Sequence, residues 1–423
     1  MSNKNKVIGY LLLAFLPFCM EAQNSTNSPY SRFGLGRLSD NSVGANRSMA
    51  GTAFGIRSIS QINPLNPASY SDIETNNFLF DIGLSAEASR LSDSQNKQRY
   101  NNGGLDYITL AFPLSSKLGF SGGLLPYSTT GYNFSSSETI KQPDGLSTGI
   151  IAQQDYIGSG GISQLYAGLG YSLKKNLSVG FNVKYLFGSV SNSRMTSFPE
   201  SSSIYFINYE NKIQVNDLKF DLGMQYTHRL NTRENLTLGA VFSPGKGLHS
   251  STELNRSYGT GSTTDTTLTA TNTGSFDFPN TLGLGLSYNK DNRITIAADF
   301  EYQMWGDARY YSKKDTLNNR ARLSLGAEYI PSLISRNPLK VLHYRAGFSC
   351  EQSYIKVNGN SVNAYRATVG IGIPYRSSGS MINLGFEYSL IPSTSVTRVE
   401  ERGYKVTLGI LFSELWFKKR VFK

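Results

Sequence analysis

Apolar and polar residues alternate with a period of two along most of the chain after residue 76. Ile296 and Phe300, for example, fall on one face of a segment whose other face carries Thr295 and Asp299. Successive Cβ atoms of a strand point to opposite sides, so this pattern predicts strands with one apolar and one polar face. Fourteen such segments follow one another, beginning near residues 77, 105, 118, 163, 177, 213, 235, 280, 293, 320, 339, 364, 381 and 404.

The predicted connections alternate in length. Short links follow even-numbered strands, at 113–117, 174–176, 229–234, 290–292 and 375–379, and long links follow odd-numbered ones, at 135–162, 199–212, 244–279 and 306–319. The link 330–338 departs from this alternation. An even strand number, short periplasmic turns and long outer loops are typical of bacterial outer-membrane barrels. We therefore predict an all-β fold, a 14-stranded antiparallel transmembrane β-barrel. A soluble β-sandwich is the structural alternative, whereas a propeller would show a sequence repeat that is absent here.

Composition agrees with a barrel. Only 17% of the 423 residues are charged, 12% are aromatic, and the mean hydropathy of −0.29 is too low for a bundle of membrane helices. Aromatic residues near the predicted strand ends are typical of the interfacial girdles of such barrels: Trp305, Tyr365, Tyr375, Tyr388, Tyr404 and Trp416. The net charge of +11 is spread along the chain rather than clustered, which argues against a nucleic-acid partner.

The amino terminus predicts export. Two lysines precede an apolar run from residue 7 to 20, a pattern typical of a secretory signal peptide. We expect residues 1–22 to be the signal peptide, 23–76 a hatch segment, 77–413 the barrel and 414–423 a basic periplasmic tail. An exported chain without membrane helices is either soluble or spans a bilayer as a closed barrel. The strand pattern favours the barrel, and we therefore expect a bacterial outer-membrane location.

The sequence contains few residues suited to catalysis or metal binding. The chain has three histidines and two cysteines, without the spacing of a metal site. His249 followed by Ser250 is the one pairing in an outer loop that resembles a hydrolase, and a Ser-rich loop produces it by chance. We expect no enzyme activity, no cofactor and no metal.

Residues 23–76 are too long for a simple terminal tail and are rich in glycine and proline. With both ends of a 14-stranded barrel in the periplasm, this segment is able to fold into the lumen as a plug; a periplasmic tail is the alternative. Two motifs lie in it: Asn-Arg-Ser-Met-Ala-Gly-Thr-Ala at 46–53, containing Arg47, Met49 and Gly51, and Ile-Asn-Pro-Leu-Asn-Pro-Ala-Ser at 62–69, containing Asn66, Pro67 and Ala68.

These two motifs resemble the hatch of the FadL/TodX-type outer-membrane transporters, a group with PorV-like relatives. The resemblance implies passive uptake of hydrophobic compounds such as long-chain fatty acids, with cargo leaving sideways through the barrel wall. It also implies that Asn66, Pro67 and Ala68 lie where the hatch rearranges. Outer-membrane lipid and hydrophobic small molecules are then the expected partners. The alternative function is a non-catalytic structural subunit of an outer-membrane protein secretion or barrel-assembly machine, with other machine subunits as partners.

Charged residues recur on the inward faces of the later strands. They alternate in sign from strand to strand and predict a ladder of ion pairs across the inner wall that anchors the hatch; a substrate site is the alternative. The residues of this ladder are Glu301, Arg322, Glu328, Arg345, Arg366 and Glu387.

Overall fold

The computed structural model describes residues 26–93, 96–141, 147–198, 206–259, 266–273, 276–314, 316–357, 359–375, 379–394 and 398–416. The predicted signal peptide and the basic residues of the predicted tail lie outside them. Fourteen long antiparallel strands make up the barrel: β2 (Asn77–Ser92), β3 (Lys97–Pro113), β4 (Leu118–Lys141), β5 (Ser147–Lys174), β6 (Leu177–Ser197), β7 (Phe206–Arg229), β8 (Glu234–Ser243), β13 (Thr281–Lys290), β14 (Ile294–Gln303), β15 (Arg320–Tyr329), β16 (His343–Val357), β17 (Asn360–Pro374), β18 (Met381–Ile391) and β19 (Glu400–Leu415).

The barrel is closed by its first and last strands. β19 pairs with β2 along its whole length, from Glu400 opposite Ser92 to Leu415 opposite Asn77. Every other barrel strand pairs with its neighbours in sequence order, with β8 joined directly to β13. The predicted all-β, 14-stranded antiparallel barrel is thus confirmed. β19 runs two residues past the predicted barrel end at 413.

The alternation of the sequence becomes an alternation of exposure. In β13, Leu282, Leu284 and Leu286 are 43%, 60% and 42% exposed, and the residues between them are buried against the lumen contents. An apolar outer face of about ten residues per strand matches the hydrocarbon core of a bilayer. Among the described residues, no helix is long and apolar enough to cross a membrane.

Four strands continue far beyond the bilayer. β4, β5, β6 and β7 have 24, 28, 21 and 24 residues, against roughly 9–11 needed for one crossing. The loop predicted at 135–162 is therefore wrong over most of its length, and residues 206–212 of the loop predicted at 199–212 also form a paired strand, while 199–205 lie outside the described residues. Gly160 and Gly188, at φ of +105° and +142°, lie where these strands leave the membrane, in conformations that side chains disfavour. The links after β2 and β16, at 93–96 and 358–359, are short, contrary to the predicted alternation.

The long predicted loop at 244–279 contains four short strands: β9 (Lys246–Leu248), β10 (Ser250–Gly259), β11 (Thr266–Thr273) and β12 (Phe276–Phe278). β10 pairs with the outer half of β7 and carries β11 beside it. We call the outer parts of β4 to β7, together with β10 and β11, the outer sheet. β9 and β12 pair with each other over the barrel mouth.

Residues 26–76 occupy the lumen. They include the short strand β1 (Arg37–Leu38) and three 3₁₀ turns, Pro29–Arg32, Gly44–Met49 and Pro67–Asp72. The segment runs from the outer end, where Ser28 donates a hydrogen bond to Glu401, to the periplasmic end, where β2 begins at Asn77. We call residues 26–76 the hatch. A further 3₁₀ turn, Pro338–Lys340, lies in the periplasmic link after β15.

Candidate functional site

The hatch lies directly on glycine residues of the barrel wall. At these positions an added Cβ would overlap or crowd hatch atoms, so only glycine permits the close approach. Gly170, for instance, faces Pro67 and Ser71 at 2.5 and 2.8 Å from an ideal Cβ. We call the wall glycines that contact the hatch in this way the glycine belt: Gly170, Gly180, Gly223, Gly239, Gly285, Gly326, Gly347 and Gly370.

The second motif caps the periplasmic turn of the hatch. Asn66 accepts a hydrogen bond from the Ala68 amide at 3.1 Å and donates to the carbonyl of Phe54 at 2.8 Å. Its amide also donates to the carbonyl of Met224 in β7, which ties the turn to the wall. Pro67 fixes the first position of the 3₁₀ turn, where a missing N–H costs nothing. These bonds hold the Asn-Pro-Ala turn in one conformation.

The first motif docks against the opposite wall. Met49 is 2% exposed and faces Gly326 and Gly347. Ala50 and Gly51 have φ of +53° and +80°, and the Ala50 carbonyl accepts hydrogen bonds from Arg322 and Arg366. The motif thus places backbone acceptors among wall arginines.

Asp40 joins the hatch to the predicted ladder. Its carboxylate lies 3.0 Å from Arg322 of β15 and 2.6 Å from Arg366 of β17. Burial alone would raise the pKa of Asp40, but the two guanidinium groups hold it well below its usual range. Sequence reasoning missed Asp40, although it is the one acidic residue between 26 and 71.

The charged residues of the ladder do not all pair with the residue opposite them on the neighbouring strand. Glu328 and Arg345 pair across β15 and β16 at 2.8 Å. Glu301 lies opposite Arg322 in register but binds Arg320 instead, at 3.1 Å. Arg366 reaches Glu387 only at 3.6 Å, because its closer partner is Asp40. Two of the three cations of the ladder, Arg322 and Arg366, therefore bind the hatch.

Arg47 of the first motif pairs with Asp106 of β3. Asp106 is the extra residue of a bulge, since Gly83 of β2 lies opposite Tyr107 and Leu84 lies opposite Leu105. A bulge of this kind redirects a side chain. Here it turns a carboxylate of the wall toward the hatch.

The backbone pairing between β3 and β4 is incomplete. The two strands pair only over Ile108–Pro113 and Gly119–Leu124, and in the part of the chain that the structure describes no outer residue of β3 pairs with β4. Pro126, which lacks an N–H, lies where β4 diverges. The hatch strand β1 takes the vacated edge, pairing with Ser128 and Thr129. We call this unpaired stretch the wall break.

An apolar lid closes the outer mouth. Phe276 and Phe278 of β12 and Leu248 of β9 are at most 2% exposed, and the ring of Trp305 packs against that of Tyr354 in a tilted arrangement with 4.8 Å between ring centroids. Arg309 and Asp277 join the two lid loops through paired hydrogen bonds of 2.8 and 2.9 Å. The loops that lie between β8 and β13 and between β14 and β15 thus seal the lumen from outside.

A polar chamber of about 260 Å³ remains between hatch and wall. Its charged lining includes Arg37, Glu87, Asp106, Glu387 and Lys405. Gly103, Gly104 and Leu105 also line it, so the chamber borders the wall break. The described residues hold no group of three or more His, Cys, Asp or Glu side chains suited to a metal.

A closed 14-stranded barrel with an apolar outer face and a hatch in its lumen defines a plugged outer-membrane β-barrel. Its fold is that of hydrocarbon channels. The channel CymD superposes with a TM-score of 0.61 at 13% identity, covering 90% of this chain and 99% of that one. The toluene transporters TodX of P. putida and TbuX of Ralstonia pickettii both give 0.58, at 15% and 14% identity, covering 90% and 88% of this chain and 99% and 98% of theirs.

These likenesses confirm the predicted resemblance to FadL/TodX-type barrels in fold. No curated protein sequence is significantly similar to the chain. The model of the BamG family matches residues 4–423, and the chain belongs to this family.

Proposed function

We propose that this protein is a non-catalytic structural subunit of an outer-membrane protein machine. The observation that carries the proposal is the filled lumen: the hatch crosses it from end to end, and the lid seals its mouth. Charged side chains, among them Arg37, Glu87 and Lys405, line part of the remaining chamber and make it unfavourable for an apolar cargo. Membership of the BamG family fits this function.

The outer sheet supplies the surface that such a subunit needs. It stands beyond the membrane on one side of the barrel and carries exposed apolar side chains, among them Ile151, Ile157 and Leu254 at 36%, 47% and 41% exposure. Apolar residues held on a rigid sheet are suited to a protein interface, where aromatic and aliphatic anchors contribute most of the affinity. We assign this face to the contact with a neighbouring machine subunit.

Site-specific photocrosslinking in the native membrane tests the proposal. A photoreactive residue replaces Ile157 or Leu254 in the outer sheet, and Leu284 on the lipid face of β13 serves as the matched control. We expect one stoichiometric protein adduct from the outer sheet and lipid adducts from Leu284. Protein adducts absent from both sheet positions, with the barrel migrating alone on native gels, would refute a machine subunit.

The wall break favours a second candidate function, passive uptake of hydrophobic compounds such as long-chain fatty acids. A gap in the strand pairing at membrane depth would let an apolar molecule leave into lipid without crossing water. Its test is saturable binding of a fluorescent fatty acid to the purified barrel, compared between wild type, Gly104→Trp in the wall break and Ile334→Trp in a periplasmic link. Loss of binding in Gly104→Trp alone would favour transport, whereas equal binding in all three would exclude the break as the route.

A further inference from the structure

The inward side chains beside the wall break form one continuous polar row. In register, Thr368 lies opposite Glu387, Glu387 opposite Lys405, Lys405 opposite Glu87, and Glu87 opposite Asn102. The row therefore crosses five strands and ends on β3, at the edge where β3 loses its pairing with β4. Charges of both signs reach the opening of the chamber.

This row lies at the depth of the outer membrane interface. The outward neighbours of Glu387 and Lys405 are Tyr388 and Tyr404, whose rings lie 5.4 Å apart on the lipid side. Tyrosines in this position mark the level of the lipid headgroups. The chamber and the headgroup layer thus lie side by side, with the wall break between them.

The charges of the chamber are less tightly paired than those that anchor the hatch. Lys405 lies 3.7 Å from Asp106, Arg37 3.9 Å from Glu87, and Arg366 3.6 Å from Glu387, all beyond hydrogen-bonding distance. Arg37 also donates one hydrogen bond to Glu401 at 3.1 Å, and a guanidinium has further N–H donors for a ligand. By contrast, the pairs of Asp40 with Arg322 and Arg366 measure 3.0 and 2.6 Å. Cations and carboxylates around the chamber are therefore able to hydrogen-bond a ligand without breaking the hatch anchors.

The chamber suits a small group that carries both charges. Glu87 and Glu387 supply acceptors for an ammonium, and Lys405 and Arg37 supply donors for a phosphate. Its volume of about 260 Å³ is many times the roughly 10–15 Å³ that one water requires, so a small headgroup fits. Gly104, with no atom within 4 Å of an added Cβ, leaves the chamber open on the inner side of the wall break.

We propose that the chamber binds the ammonium and phosphate headgroup of a zwitterionic membrane lipid, which reaches it through the wall break. The acyl chains stay in the bilayer, while Glu87 and Glu387 hold the ammonium and Lys405 and Arg37 hold the phosphate. This site is independent of whether the protein acts as a machine subunit, because it needs neither the outer sheet nor a protein partner.

Native mass spectrometry on the full chain in mild detergent tests this site. The probes are dihexanoylphosphatidylethanolamine, dihexanoylphosphatidylglycerol and free phosphoethanolamine. The variants are Lys405→Gln and Glu87→Gln, with Lys174→Gln at a periplasmic strand end as control. We expect a single saturable phosphatidylethanolamine adduct that each chamber variant weakens by about tenfold and the control leaves unchanged.

Gly104 lies on the inward side of β3, two residues from Asn102, so Gly104→Trp keeps every charge but fills the chamber beside the wall break and should abolish binding of the lipid. Three results would overturn the proposal. One is equal lipid binding in all variants. Another is binding of phosphatidylglycerol as tight as that of phosphatidylethanolamine, which indicates a plain anion site. The third is that free phosphoethanolamine binds as tightly as the lipid and that Gly104→Trp leaves lipid binding unchanged. This result would show that the site takes its ligand from solution and not from the membrane. Heat-modifiable gel migration verifies that each variant is folded.

Discussion

Asp40 of the hatch lies 3.0 Å from Arg322 of β15, and this ion pair connects the plug to a strand 282 positions away. Arg366 binds the same carboxylate from β17. A buried carboxylate between two guanidinium groups fixes the hatch at one point of the wall. Removing it leaves two buried cations without their partner, which is more costly than never having formed the site.

We therefore expect Asp40→Asn to loosen the hatch. Breaking a buried pair from one side costs about 3–5 kcal/mol, and the remaining hydrogen bonds to the Ala50 carbonyl offset only part of it. Hydrogen exchange of residues 44–52 should accelerate, while that of the barrel strands stays protected. Asp307→Asn, at an exposed loop position, is the control. Unchanged exchange in Asp40→Asn would mean that the glycine belt holds the hatch without this anchor.

The same anchor predicts a dependence on acid. The pKa of Asp40 is held below its unfolded value, so its contribution to hatch stability is fully present above about pH 4 and is lost as the pH falls through the folded pKa. The protection of residues 44–52 against exchange, relative to the intrinsic rate at each pH, should fall in acid with a midpoint below pH 4 in the wild type. In Asp40→Asn this acid step should be missing; its persistence would assign the transition to another carboxylate.

The glycine belt predicts a steric effect. An added Cβ at Gly347 would overlap the backbone of Met49 and Ala50, whereas at Gly104 it meets nothing within 4 Å. Gly347→Ala should destabilise the hatch by about 1–3 kcal/mol, the usual cost of overpacking. Gly104→Ala should leave it unchanged. Thermal unfolding followed by gel mobility, together with limited proteolysis of the hatch, distinguishes the two, and equal behaviour would contradict close packing on the belt.

The membrane-facing surface predicts a depth-dependent cost for charge. Leu284 is 60% exposed in the middle of β13, and Ile334 is 92% exposed in a periplasmic link. Leu284→Lys should reduce folding stability in lipid by about 2–4 kcal/mol, because the charge enters the hydrocarbon core. Ile334→Lys stays in water and should be neutral. Folding titrations in vesicles measure both, and similar stabilities would place Leu284 outside the membrane.

The lid predicts a structural role for Trp305, which is buried at 1% exposure. Trp305→Ala should remove its packing on Tyr354 and leave a cavity, at a cost of about 3–5 kcal/mol. Because the hatch remains anchored by Asp40, the variant should still conduct no ions in planar bilayers. Stable conductance in Trp305→Ala would show that the lid rather than the hatch provides the seal.

The period-two pattern determined the number, order and faces of the barrel strands, because a side chain that alternates between lipid and lumen must alternate in polarity. Met381 and Leu118, for example, begin strands where the pattern placed them. The two hatch motifs also lie in the segment predicted to fill the lumen. These features are local, and a single strand or turn is enough to reveal them.

Only the tertiary structure determines which charged groups and strands meet in the lumen. Asp40 gained its role only when β15 and β17 brought Arg322 and Arg366 to it, and Glu301 took Arg320 rather than the partner opposite in register. The extension of β4 to β7 beyond the membrane arose because neighbouring strands continued to satisfy one another's backbone, which no single segment discloses. The wall break likewise depends on the hatch strand β1 taking an edge of β4. Long-range pairing and charge contacts of this kind are properties of the closed barrel, since they exist only once distant segments share one lumen.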